Sequence, residues 1–205
     1  PQFFQVVVRA DAGVNAVKDL KGKSVAAQPR GNTAEEITKQ IFQVNGITYN
    51  DLKMSFVSYT DAVAQVQDGH AVAFTLGTTI PSGAVMDLAS ARDIKLLDLA
   101  DQLPAMRKLN PGYTLVTVPK GTYPKQDKDV QVIGYATHIV ASCKLPEDTV
   151  YAMTKTMAQN VNQMALVNKG IVGLTPKGMA EDIGVPFHKG AAKFYKEAGI
   201  TVLTH

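Results

Sequence analysis

Apolar and polar positions change places in short blocks along the first half of this chain. Residues 3–9 (FFQVVVR) predict a buried strand and residues 24–27 a second one. From Gly31 to Val44 the apolar positions Ala34, Ile37, Ile41 and Val44 recur in three- and four-residue steps, so a helix is expected there, closed by Asn45-Gly46. Lys53 to Ser58 predicts a strand. Thr60 to Gln67 predicts a short helix on Ala62, Val63 and Val66, stopped by Asp68-Gly69. An apolar strand is expected over 71–76. Pro81 suits the first turn of a helix reaching about Ala89. A strand over 94–99 and a helix over 100–109 complete the series, ended by Asn110-Pro111-Gly112.

This alternation predicts an open α/β sheet, mostly parallel. Ligands of such sheets sit beyond the carboxyl ends of the strands. The loops after 24–27 and 71–76 fall on that side. The first carries Gly31, Asn32 and Thr33 ahead of the acidic helix start Glu35-Glu36; the second carries Gly77, Thr78 and Thr79 before Ile80-Pro81. A strand that feeds a helix through a glycine loop leaves backbone N–H groups unpaired at the helix start, and the helix dipole adds to their pull on an anion. Bound small anions are therefore expected at this edge.

The second half reads differently. Tyr113 to Val118 predicts a strand, 119–129 a Lys-, Gly- and Pro-bearing loop, and Val130 to Ser142 a long apolar strand. Beyond Leu145-Pro146-Glu147-Asp148 the pattern is helical: 150–167, then about 176–183 and 189–198. Helices with a single long strand make a poor independent sheet, so an incomplete lobe is expected. A compact lobe over 9–118 is expected, with 1–8 and 119–205 belonging to another lobe and the strands near 3–9 and 130–142 as connectors. Pro1 is an unusual native start and suggests a removed leader or a chain that begins partway through a longer protein.

Composition narrows the chemistry. Hydrophobic residues make up 45% and charged residues 19% of the 205, enough for a core. The net charge of +3 is spread along the chain and forms no nucleic-acid footprint. The single cysteine, Cys143, precludes an internal disulfide, and its apolar neighbours Ile139-Val140-Ala141 predict a buried, inert thiol. His70, His138, His188 and His205 are far apart and lack HExxH spacing, and His138 is expected inside a strand. No GxSxG elbow and no GxxxxGK[ST] loop is present. Glu35-Glu36 is explained by the helix dipole, and Asp127 and Asp129 by loop solvation. No catalytic group, metal set or cofactor motif is read from the sequence.

The order of motifs resembles the TAXI-type solute receptors of TRAP transporters. The stretches that carry the resemblance are VVVRADAGVNAVKDLKGKSVAA, the glycine loop and helix ending in NGITYNDL, DAVAQVQDGHAVAF with IPSGAVMDLA, PKGTYPKQDKDVQVIG, LPEDTVYAMTK and FHKGAAKFYKEAGI. Together they span nearly the whole chain. The resemblance implies a two-lobed periplasmic-binding-protein type II fold, here with its first lobe incomplete because the family's N-terminal region is missing. It implies a periplasmic receptor that captures a small organic anion, an amino acid or dicarboxylate, for a TRAP-type membrane permease. It carries over Gly31, Asn32 and Thr33 as ligand-binding residues, with Gly77, Thr78 and Thr79 from the second loop and Tyr123 from the GTYPKQDKDV stretch. Where the family loop commonly reads Gly-Ser-Gly-Thr-Glu, this chain reads Gly31-Asn32-Thr33-Ala34-Glu35, and Val72-Ala73 stands where the family carries Asp-Ala. The alternatives are an enzyme on the same scaffold, an effector-sensing module, and a diverged surface protein whose ligand binding is lost or altered.

Overall fold

Eight consecutive, largely apolar residues make the longest strand, β1 (Gln2–Arg9). Phe4, Val6, Val7 and Val8 have no exposed surface, so both faces of β1 are covered. The computed structural model describes residues 1–167 and 169–204. The chain divides into two units, Pro1–Ala136 and Thr137–His205.

In the first unit β1 is followed by β2 (Ser24–Ala27), α1 (Thr33–Val44), β3 (Lys53–Phe56), α2 (Tyr59–Gln67), β4 (Ala73–Thr78), α3 (Gly83–Ala91), β5 (Ile94–Leu96), α4 (Leu103–Leu109), β6 (Thr114–Val118) and β7 (Val130–Tyr135). The strands form one sheet in the order β3-β2-β4-β1-β7-β6, with β5 also on β1. β7 takes Gln2 to Phe4 and β5 takes Val7 to Arg9, so two short strands share one edge of the long one.

The sheet is mixed, which corrects the mostly parallel expectation. Only β2 with β3 and β2 with β4 run parallel; β1 is antiparallel to β4, β5 and β7, and β6 to β7. Alternation of strands and helices cannot reveal that the first strand enters the sheet reversed. The strands at 2–9 and 130–135 are neighbours within this sheet. β7 stops at Tyr135 rather than Ser142 because its partners end there, Gln2 of β1 opposite Tyr135 and Thr114 of β6 opposite Gly134. The apolar run beyond it therefore leaves the sheet. Ile139 is 70% and Val140 85% exposed, and Cys143, expected buried, is exposed, as is His138. Pro81 lies just before the N-cap of α3, Ser82, rather than in its first turn. The Ser82 N–H is taken by the Tyr123 hydroxyl (3.1 Å), which holds Ser82 in an extended conformation.

α1 packs its apolar stripe on the sheet through buried Ala34, Ile37, Ile41 and Phe42. One polar contact joins it to β4. Thr38 Oγ1 donates to the Ala34 carbonyl (2.7 Å), so the 2.8 Å bond to Thr75 Oγ1 uses the proton of Thr75. Both residues are fully buried, and the pair fixes α1 lengthwise against β4.

The second unit holds α5 (Glu147–Gln159), α6 (Val161–Val167), α7 (Pro176–Met179) and α8 (Lys189–Glu197). The expected helix over 150–167 is broken at Asn160, and that over 176–183 ends at Met179. Among the described residues the only β-pairing in this unit is the isolated bridge of Phe187 with Thr204. Its small core is Val150, Ala191 and Tyr195, with the rings of Phe187 and Phe194 set edge-on to Tyr195 at 5.4 and 5.6 Å. α5 and α8 meet at Gly190, where an added Cβ would overlap the Glu147 carbonyl and lie 2.7 Å from the Tyr151 nitrogen. Backbone cannot give way as a flexible side chain can. Gly190→Ala is therefore expected to loosen α5 from α8 at a cost of about 1–3 kcal/mol, the range for overpacking. Hydrogen exchange should show lost protection in both helices and unchanged protection in β1 and β4.

Candidate functional site

β2 and β4 are parallel neighbours, Val25 opposite Ala73 and Ala26 opposite Phe74, so their carboxyl ends share one edge. Beyond β2 the backbone turns through Gly31, whose φ of 85° is left-handed and favours glycine. Asn32 follows in an extended conformation and caps α1, its Oδ1 accepting the Ala34 N–H at 2.8 Å. The Asn32 N–H is itself spent on the Pro29 carbonyl (3.1 Å). Of the four amides that open a helix, those of Thr33 and Glu35 are thereby left without a partner among the described residues.

Glu35 is the surprise of this loop. Its side chain turns inward and is buried. Oε2 accepts the Gly31 N–H (3.2 Å) and Oε1 accepts the Tyr49 hydroxyl (2.7 Å). Burial, and then this carboxylate, push the Tyr49 phenol far above its ordinary pKa, so it stays a donor. The helix dipole accounts for acidic residues here, but not for one whose carboxylate links the Gly31 amide to the Tyr49 hydroxyl.

A cavity of about 400 Å³ opens at this helix start. Thr33, Glu36, Ile37 and Gln40 line it from one face of α1, at the i, i+3, i+4, i+7 spacing that stacks residues on one side. Gly31 and Asn32 close one end; Asn110 and Tyr113 come from the turn between α4 and β6. Side chains are linked along the wall. The Tyr113 hydroxyl donates to Gln40 Oε1 (2.7 Å), and Gln40 Nε2 donates to Glu36 Oε1 (3.2 Å). Burial, then the Glu36 charge, raise the Tyr113 phenol's pKa. Glu36 is the one charged residue in the lining. Arg30, the nearest base in sequence, lies over the Phe56 ring at 4.5 Å.

Gly31, Asn32 and Thr33 thus meet at the cavity. Gly77 and Thr78 finish β4 at the same sheet edge and, like Thr79, are not part of the cavity wall. Gly77 is held by Tyr59, whose hydroxyl donates to the Gly77 carbonyl (3.0 Å) and accepts its N–H (3.4 Å). Tyr123 is 3% exposed, and its hydroxyl is used twice within the fold, donating to Gln5 Oε1 (2.9 Å) and accepting from Ser82. Glu36 and Gln40 were available to sequence reading, being one and two turns beyond Thr33. Asn110, Tyr113 and Tyr59 had no such signal, since they reach the edge from separate elements. No group of three metal-ligating side chains occurs among the described residues.

The sequence pattern of the NMT1-like family matches residues 1–199. Among solved structures, the periplasmic aliphatic sulphonate binding protein SsuA from Escherichia coli aligns with a TM-score of 0.51 at 15% identity, covering 96% of this chain and 62% of that one. An ancestral arginine-binding protein bound to arginine aligns with 47% of this chain and 40% of its own (20% identity, TM-score 0.37). The cysteine-binding protein from Campylobacter jejuni aligns with 46% and 34% (21% identity, TM-score 0.35). The chain therefore spans less than two thirds of the length of each. The sulphonate-binding protein shows the fold: an α/β fold of the periplasmic-binding-protein type, represented here in part.

The cap geometry separates two roles for Asn32. Asn32→Ala removes the acceptor for the Ala34 N–H and is expected to cost about 0.5–2 kcal/mol of stability. Asn32→Asp keeps that acceptor and adds charge that the helix start favours, so its urea midpoint should be no lower than the parent's.

Proposed function

We propose, from the premise that the chain belongs to the NMT1-like family, that it serves as an extracytoplasmic solute-binding receptor for a small organic anion. The observation that carries this reading is the opening of α1 into the cavity, whose lining includes Thr33, with an amide that has no partner among the described residues, and the side chain of Asn32. A carboxylate or sulphonate oxygen placed there would receive backbone donors and the positive end of the helix dipole. Gly77, Thr78 and Thr79 would supply the second polar edge, and Tyr123 would act by holding the turn into α3 through Ser82. The reading is one of binding rather than catalysis. The TAXI-like motifs make a TRAP-type permease the membrane partner to test, and an amino acid or dicarboxylate the first solutes to try. Residues 1–8 and 119–205 are read as the portion of the incomplete first lobe that this chain carries, and 9–118 as the other lobe. No helix among the described residues is long and apolar enough to cross a membrane.

A second reading, a diverged protein whose ligand binding is lost or altered, is favoured by two observations. Glu35 already occupies the Gly31 N–H, and no basic side chain lines the cavity. The two readings part on a thermal-shift screen of the full chain with L-glutamate, L-arginine, succinate, 2-oxoglutarate and butane-1-sulphonate. A solute that binds only the folded state at a hundred times its Kd adds about 2.7 kcal/mol, a rise of several degrees for a protein of this size. Such a rise with any of them, reduced in Asn32→Asp by the added negative charge, supports the receptor; a flat screen favours the diverged protein.

A further inference from the structure

We propose that the Tyr135 hydroxyl is a solute-contacting group that takes an acceptor oxygen of the bound solute at the sheet edge between α1 and β4. The inference rests on the receptor reading above. Register places the residue. Gly134 of β7 pairs with Thr114 of β6, so one further step along both chains sets Tyr135 opposite Tyr113, which lines the cavity. In the other direction the Tyr135 ring reaches over β1 to β4. Its Cζ lies 3.1 Å and its Cε1 3.2 Å from where a Cβ on Gly77 would stand, and its hydroxyl is closer still. Gly77 is not in the left-handed region, so its lack of a side chain serves this approach rather than a turn.

Three phenols thus gather at one edge, and two are committed. Tyr59 exchanges hydrogen bonds with Gly77, and Tyr113 donates to Gln40. Tyr135, half-buried, has no hydrogen-bond partner for its hydroxyl among the described residues. A phenol drawn partly out of water without a partner loses solvation that a bound solute would restore. Burial first, then the neighbouring Tyr59 and Tyr113, push its pKa up to about 12, so near neutral pH it is an uncharged donor suited to an acceptor oxygen.

The test is Tyr135→Phe in the full chain, beside Tyr59→Phe, with succinate, L-glutamate and butane-1-sulphonate titrated by calorimetry. The substitution at Tyr135 keeps the packing of the ring and loses only the hydroxyl. Each of these probes that binds the parent should bind Tyr135→Phe about tenfold more weakly, the order of one hydrogen bond, with an unchanged melting temperature. Tyr59→Phe, which breaks the link to Gly77, should lower the melting temperature. Equal affinity in Tyr135→Phe and the parent overturns the role of Tyr135 and leaves the receptor reading standing. A melting temperature lowered as far as in Tyr59→Phe shows a structural hydroxyl and overturns it too. No binding of any of the three by the parent removes the receptor reading for these solute classes and this inference with it.

Discussion

The position of the candidate site depends on β1 being covered on both faces along its middle and paired on both edges. A strand buried along its middle must pass its backbone hydrogen bonds there to neighbours. β1 does so with β4 on one side and with β7 and β5 end to end on the other. This antiparallel centre sets β4 beside it, and β4 carries β2 as its parallel neighbour. The shared carboxyl edge of β2 and β4, where the candidate site lies, is thus a consequence of how one apolar strand satisfies its amides. Buried polar side chains follow this logic only in part: Thr38 and Thr75 bond each other, while Gln5 Nε2 and Gln28 Nε2 have no hydrogen-bond partner among the described residues. Gln5, in the middle of β1, is fully buried, and its carbonyl oxygen is met by Tyr123.

The loop before α1 shows a competition for donors. A helix start offers unpaired amides, and an external anion is one way to satisfy them. Here the chain satisfies two of the nearby N–H groups itself, with the Asn32 side chain on Ala34 and the Glu35 carboxylate on Gly31. Tyr49 clamps Glu35 from behind, so the carboxylate is fixed rather than free to swing away. A solute must work with the amides that remain. Internal capping and ligand capture are therefore not separate properties of this loop; the first decides how much of the second is left. It also pre-orders the backbone, which lowers the entropic cost of any binding that occurs.

The two units differ in what their apolar residues touch. In the first, the helices flank a sheet, and the core runs from Phe4 on β1 through Ile41 on α1 to Met106 on α4. In the second, α5 and α8 rely on close backbone approach at Gly190 and on a few aromatic contacts. Large apolar side chains there stay in water, Leu166 at 86% and Val167 at 93%. Amphipathic helices gain most of their stability from a packed face, so this unit has the smaller reserve.

The sequence alone determined the local elements and the loops that matter. The three- and four-residue steps of Ala34, Ile37 and Ile41 marked α1, and Asn32 before Thr33 announced its cap, because these signals depend on neighbours a few residues away. That the strands at 24–27 and 71–76 would end at one edge was legible from strand–helix alternation, although Gly77 and Thr78 lie within β4 rather than in a loop. What tertiary structure decided depends on residues far apart in the chain. The reversed direction of β1, the end of β7 at Tyr135 and the exposure of Cys143 follow from which strands are present to pair. The inward turn of Glu35 requires Tyr49, fourteen residues on, and the cavity wall requires Tyr113, seventy-three residues beyond Gln40. Local pattern specifies which backbone groups will be left unpaired. Only the folded chain decides which of its own side chains reaches them first.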